Sequence, residues 1–213
     1  GSYTKRTPLN DPETLRSIAL SDVMTTNDGR WTFVVGGRYQ QITIKNYPNP
    51  RSGNGRQTTY SEYEEAKFSP AFALVHKLNK QVSLYANYIQ GLKDGDEAST
   101  SAANAGEKMK PFVAKQYEVG AKFDFDKIAT TLSFFSIKTP AMLLDPVTNL
   151  DEASGEVRNR GIEWMFFGEP KKGTRLTGGM MWMDARHKKT AGGQYDGNRK
   201  EGLPRYSAVL GVE

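Results

Sequence analysis

From Lys115 to Phe125 apolar and polar positions alternate. Tyr117, Val119, Ala121, Phe123 and Phe125 take every second place, with Glu118, Gly120, Lys122 and Asp124 between them. Period two marks a strand with one apolar and one wet side. Asp126-Lys127 interrupts the run, and a stretch rich in Thr, Phe and Ile follows from Ile128 to Pro140. The pair predicts an antiparallel hairpin with a turn of a few residues.

The same unit recurs outward in both directions. A first strand is expected over Ile18 to Thr26, and Asn27-Asp28-Gly29 supplies turn chemistry after it. From Trp31 to Lys45, Trp31, Phe33, Val35 and Tyr39 alternate with Thr32, Gly36, Arg38 and Gln40. Further strands are expected over Phe68 to Lys77, Val82 to Gly91, Val157 to Gly168 and Thr174 to Arg186, with a last one beginning at Pro204. Between them lie long polar segments, Asn46 to Glu65, Leu92 to Val113, Ala141 to Gly155 and His187 to Leu203. Short turns and long loops therefore alternate, and all long loops emerge on one side. That pattern predicts an all-β, antiparallel up-and-down sheet of about nine strands, of the kind that forms a transmembrane β-barrel wall. An autonomous soluble β-sandwich acting as a binding module is the competing architecture, in which strict alternation over four hairpins is less expected.

Composition is compatible with the barrel. Over 213 residues the chain is 37% apolar, without a run approaching the ~20 apolar residues of a spanning helix. A spanning strand needs only ~9–11 residues, of which every second one is apolar. The formal charge is +5, but Lys and Arg are scattered among nearly as many Asp and Glu. No basic stripe is visible along the sequence, so a nucleic-acid partner is not expected.

Catalytic chemistry has little to build on. Cysteine is absent and there are two histidines, His76 and His187, far apart in sequence. Gly168 to Thr174 has the glycines of a phosphate loop without Lys before the Thr, and reads as a hairpin turn. Asp94, Asp96 and Glu97 lack the spacing of a calcium loop and read as solvated acids. An enzyme is not expected, and no metal-ligand set or cofactor. Glu118, Lys122 and Asp124, and with them Arg158, Arg160 and Glu163, are expected to solvate a channel wall rather than to form strong ion pairs.

Several stretches together resemble the TonB-dependent siderophore receptors of the Gram-negative outer membrane. They are SPAFALVHK from Ser69, SLYANYIQGL from Ser83, NAGEKMKPF from Asn104, KQYEVGAKFDF from Lys115, RNRGIE from Arg158 and AGGQYDGNRKEGLPRYSAVLG from Ala191. The likeness covers the chain from about Trp31 onward. It implies nine of the 22 strands of a plugged barrel, with the plug, the segment that meets TonB, and the remaining strands expected outside this sequence. Residues 1–16, opening on a Gly1-Ser2 that reads as a cloning scar, are expected to be tag and loop remnant, and 17–213 a partial barrel domain.

The resemblance implies a parent receptor that binds and imports ferric siderophores, contacts TonB through its amino-terminal regions, and sits in outer-membrane lipid. Iron would stay inside its chelator. Cobalamin or an oligosaccharide is the alternative cargo within the same fold. Arg, Lys and Tyr in long loops suit anionic, flat chelates, which singles out Tyr47, Arg51, Arg56, Tyr60, Tyr63, Tyr195, Arg199 and Lys200 as ligand candidates. Trp31, Trp164 and Trp182, together with Tyr39, Tyr88 and Tyr117, are expected at the membrane interfaces.

Overall fold

A computed structural model describes residues 13–46, 61–93 and 95–213. Among these residues nine strands form one sheet in sequence order: β1 (Glu13–Thr25), β2 (Trp31–Asn46), β3 (Ser61–Lys77), β4 (Val82–Lys93), β5 (Phe112–Asp124), β6 (Ile128–Leu144), β7 (Asp151–Lys171), β8 (Thr174–Lys189) and β9 (Tyr206–Val212). Every neighbour pair is antiparallel. Eight of the nine strands run 12 to 21 residues, at least twice the usual length in globular sheets. They cross a thickness that must be spanned without a break in backbone pairing.

Short turns close one rim, and local chemistry fixes each. Asp28 Oδ1 accepts the Arg30 N–H at 3.0 Å, and Gly29 takes the positive φ of 67° that follows. Asn79 Oδ1 accepts the N–H groups of Gln81 and Val82, both at 2.8 Å. Asp126 occupies the left-handed region at φ 71° between β5 and β6. Gly173, with φ 81°, closes β7 to β8 and donates its N–H to Glu169 Oε1 at 2.6 Å.

The register sorts side chains into two surfaces. One cross-strand row reads Val35, Phe72, Tyr88, Tyr117 and Ser136, and the next Phe33, Leu74, Ala86, Val119, Phe134, Ile162, Trp182 and Tyr206. Of these side chains Phe33, Val35, Phe72, Tyr117, Val119, Phe134, Ile162 and Tyr206 stay exposed, Val119 at 53% and Phe134 at 51%, and no large side chain is fully buried among the described residues. A sandwich would have hidden this face in a dry interior. The reverse face carries Tyr85, Asn87, Glu118, Lys122, Ser133 and Glu163. Such a sheet is stable when hydrocarbon covers one side and water the other.

Strand ends differ from the sequence reading. β1 starts at Glu13, inside the stretch expected to be tag and loop. β3 starts at Ser61 rather than Phe68, and β6 and β7 run to Leu144 and from Asp151, so their connection shrinks to 145–150. The extensions at 61–67 and 151–156 carry polar residues on both faces and the one at 141–144 is apolar throughout, so each lacks a period-two signal while backbone pairing continues. The buried apolar side chains Ile42, Ala98, Ala102, Phe112, Val157 and Ala185 are few, and sit at the long-loop end of the sheet or in its loops.

Candidate functional site: the polar wall and the long-loop rim

On the polar face the strand period brings Tyr85 of β4 opposite Gly120 of β5, which is opposite Ser133 of β6. Gly120 leaves room for the Tyr85 ring to lie flat across the sheet; a Cβ there would stand 2.6 Å from Tyr85 Cζ. Lying over Gly120, Tyr85 donates its hydroxyl to Glu118 Oε1 at 2.8 Å. Lys122 Nζ stands 5.3 Å from the Tyr85 ring centroid, within cation–π range. Glu118 is thus anchored by a neutral donor rather than merely solvated. Tyr85→Phe should lower stability in detergent by about 1–2 kcal/mol, the worth of a part-exposed hydrogen bond to a charged acceptor. Thermal unfolding monitored by tyrosine absorbance checks this, and an unchanged midpoint would mean that Glu118 needs no anchor.

At the long-loop rim two connections clasp each other. The Asp151 carboxylate, at the start of β7, accepts the Ser99 N–H at 2.7 Å, and its own N–H donates to Asn104 Oδ1 at 2.8 Å. Asn104 Nδ2 donates back to the Asp151 carbonyl at 2.9 Å, and the Ala103 N–H to the Asn149 carbonyl at 2.7 Å. Ala98 and Ala102 are buried within this contact. Backbone N–H groups of Thr148 and Val147 hold the exposed Asp145 carboxyl below its ordinary range, so 145–150 is a capped turn. Between β8 and β9, Asp196 Oδ1 accepts from the Thr190 N–H at 2.7 Å and its hydroxyl at 2.8 Å, closing a loop over a 3-10 turn, Ala191–Gly193.

The ligand candidates fall unevenly on this frame. Tyr47, Arg51, Arg56 and Tyr60 lie outside the described residues, and Tyr63 lies in β3, its side chain not described. Tyr195 is 55% exposed in the β8–β9 loop, its N–H held by Thr190 Oγ1 at 3.0 Å. Lys200 is tied to the sheet by its N–H on the Ala185 carbonyl, 2.8 Å. Arg199 is opposite Arg186 and donates Nη2 to the Leu203 carbonyl at 3.0 Å, on the apolar-side surface rather than over the polar face. Of the tryptophans, Trp31 stands at the short-turn rim stacked 3.8 Å from His76, Trp164 lies within the apolar surface beside Leu132, and Trp182 lies one row below Asp184.

One expectation is corrected. Arg158 and Arg160 do not share the polar wall with Glu163. They follow Ile162 at two-residue steps, so they continue the apolar surface beyond its edge, and Arg160 Nε pairs with Asp184 Oδ2 at 3.4 Å. Sequence reasoning also passed over Tyr85 and Asp151. A glycine in mid-strand facing a tyrosine was the available sign for the first; nothing local marks the second.

A model of the family described as "TonB dependent receptor-like, beta-barrel" matches residues 3–213. The chain is 34% identical over 218 residues to the ferrichrome receptor FcuA of Yersinia enterocolitica, covering 100% of this chain and 28% of that protein. It is 24% identical over 196 residues to the ferrioxamine B receptor of Salmonella typhimurium, covering 89% of this chain and 26% of that one. Among solved structures, BauA, the ferric preacinetobactin receptor of Acinetobacter baumannii, superposes with a TM-score of 0.75 at 36% identity, over 94% of this chain and 29% of its own. The chain therefore spans between a quarter and a third of the length of the relatives it matches.

Proposed function

The chain belongs to the TonB-dependent receptor β-barrel family, and from this premise we propose that it is a section of barrel wall and outer loops from an outer-membrane receptor that binds and imports a ferric siderophore. The observation that carries the reading is the two-sided sheet, exposed apolar side chains on one face and polar ones on the other, with the long connections on a single rim. Two edges, β1 and β9, await further strands, because in lipid every backbone donor and acceptor must be paired. The relatives named as ferrichrome, ferrioxamine B and ferric preacinetobactin receptors support a chelated iron cargo. Ferrichrome and ferrioxamine B are the favoured chelates to test, since two of those relatives are named for them.

In this reading the rim loops take the chelate from the medium and the polar face lines the path inward, while energy enters through TonB acting on parts of the receptor outside this sequence. The cargo keeps its iron within the chelator, so the residues need offer only charge pairing and stacking. Tyr195, 55% exposed in the β8–β9 loop, and Lys200 in the same loop are the residues this reading assigns to it. Titration of the intact receptor with ferrichrome and ferrioxamine B should give saturable binding that weakens at least threefold in Tyr195→Ala/Lys200→Ala. A strain dependent on this receptor should grow on the bound chelate as sole iron source. Binding of neither ferric chelate, with no growth defect on deleting the receptor, would dismiss the cargo class.

A further inference from the structure

Two sectors of the polar face differ in what covers their glycines. Between β4 and β8, Gly120, Gly161 and Gly179 are each roofed by a side chain of a neighbouring strand. A Cβ on Gly120 would stand 2.6 Å from Tyr85 Cζ, one on Gly161 2.8 Å from Phe135 Cζ, and one on Gly179 3.3 Å from Met165 Cγ. Between β1 and β4 the glycines are bare. A Cβ on Gly91 would meet nothing within 4 Å, and the nearest atoms to one on Gly36 are the Leu20 carbonyl oxygen and Ser21 Cβ of β1, both at 3.0 Å. These two glycines, with Ala19, Ser21 and Ala71, line a concavity of about 480 Å³ that crosses all four strands. Its size falls among small-molecule pockets, about 300–1,000 Å³. Along β2 it reaches from Val34 to Gln40. At ~3.3 Å per residue and ~40° of tilt, that is from about 8 to about 23 Å above the start of the strand, so it opens toward the long-loop rim.

The polar groups in it share one character. Ser69, 4% exposed, lines the concavity, and its Oγ has no hydrogen-bond partner. A buried hydroxyl left open calls for one. Arg38 adds a guanidinium and Gln40 an amide, so all three side chains can donate. No carboxylate lines the concavity among the described residues, whereas Glu118 and Glu163 stand on the neighbouring sector. Donors and one positive charge, with no acid beside them, suit a neutral or anionic ligand whose surface is made of acceptor oxygens. A protein segment would bring backbone donors as well as acceptors, and a floor without acids offers it no advantage.

We propose that this concavity is a station for the ferric chelate inside the barrel, below the rim that first takes it up. Ferric iron is a hard cation that chelators wrap in oxygen, so the complex presents acceptors to Arg38, Gln40 and Ser69, and the small side chains give it room. The chelate descends along β1 to β4, not along the sector where Tyr85, Phe135 and Met165 fill the space over the glycines. The station rests on the cargo proposed above for the intact receptor.

The test uses the intact receptor, expressed in a strain lacking its own copy, with radioiron-labelled ferrichrome and ferrioxamine B as probes. Gly91→Phe fills the concavity from a position where a Cβ meets nothing, and Thr131→Phe places the same ring on the polar face of β6, opposite Lys122. Gly91→Phe should slow uptake at saturating chelate by roughly tenfold while its equilibrium binding stays within about twofold of wild type, and Thr131→Phe should keep both within about twofold. Ser69→Ala should slow uptake by about threefold, and it decides the matter if Gly91→Phe does not reach the outer membrane. Wild-type uptake rates in Gly91→Phe and Ser69→Ala overturn the station alone. Equal losses in Gly91→Phe and Thr131→Phe also overturn it, since bulk anywhere on the wall would then stop the cargo. A thermal midpoint of Gly91→Phe that falls without chelate, in step with the lost uptake, means that the receptor's own chain fills the concavity, and overturns the station too. A wild type that neither binds nor imports either chelate overturns the cargo reading and the station with it.

Discussion

Val119→Arg should cost the intact receptor about 2–4 kcal/mol of stability in a phospholipid bilayer, the range for a cation on the lipid face near the midplane of a barrel. Val119 is 53% exposed and stands in register between Ala86 and Phe134, with Tyr117 and Ala121 above and below it on the same face. No acceptor is within reach, so the guanidinium would either desolvate or drag water into the band. Gln116→Arg puts the same charge on the opposite face, between Ile89 and Ile137. It should shift stability by less than about 1 kcal/mol, as on an ordinary wetted surface. Denaturant titrations of both variants after folding into vesicles compare the two faces directly. Similar costs for both would remove the distinction on which the sheet's placement rests.

Asp151→Ala should have the next largest effect, and a local one. The side chain is nearly buried, the residue 6% exposed, and its carboxylate is the acceptor for the Ser99 N–H at 2.7 Å across 52 residues of sequence. Removing it leaves a half-buried donor without a partner, a cost of about 1–3 kcal/mol. The loss should fall on the clasp rather than on the sheet, since the Asp151 backbone still pairs with Asn104 and with β6. Amide exchange at Ser99 to Gly106 should quicken by one to two orders of magnitude while β5 and β6 stay protected. Asp151→Asn keeps an acceptor and should recover most of the protection. If the rim forms the entrance for cargo, chelate affinity falls in the alanine variant along with loop order. Unaltered exchange at Ser99 would show that the clasp does not hold the loop.

The hairpins were readable because two solvents act on them. Where a strand has lipid on one side and water on the other, composition must alternate, and Tyr117 to Phe125 does so without exception. Above the band both faces are wet, and alternation loses its cause; hence the strand ends at Ser61 and Asp151 look like loop in the sequence. The Arg158 and Arg160 placement failed for a related reason. Charge marks the polar face only within the lipid band, and beyond the lipid edge the outward face is charged too. The outward row of Lys115, Lys138, Arg158, Arg186 and Arg199 could not be seen at all along the chain, because its members are brought together only by the register of four strands and one bridge from the β8–β9 loop. Scattered cations in sequence became a stripe in space. Likewise Asn104 and Asp151, 47 positions apart, share a clasp that no local pattern announces.

The most direct test of the two-sided sheet is a scan of β5 with single cysteines, which is open because the segment contains none of its own. Each residue from Gln116 to Phe123 is replaced in turn in the intact receptor, and labelling by a charged, membrane-impermeant maleimide is measured in sealed vesicles with both rims accessible. Positions 116, 118, 120 and 122 should label, and 117, 119, 121 and 123 should be protected until the bilayer is dissolved, in strict alternation. Labelling that rises and falls without period two, or protection on the Glu118 side with reaction on the Val119 side, would contradict a wall with hydrocarbon outside and water within.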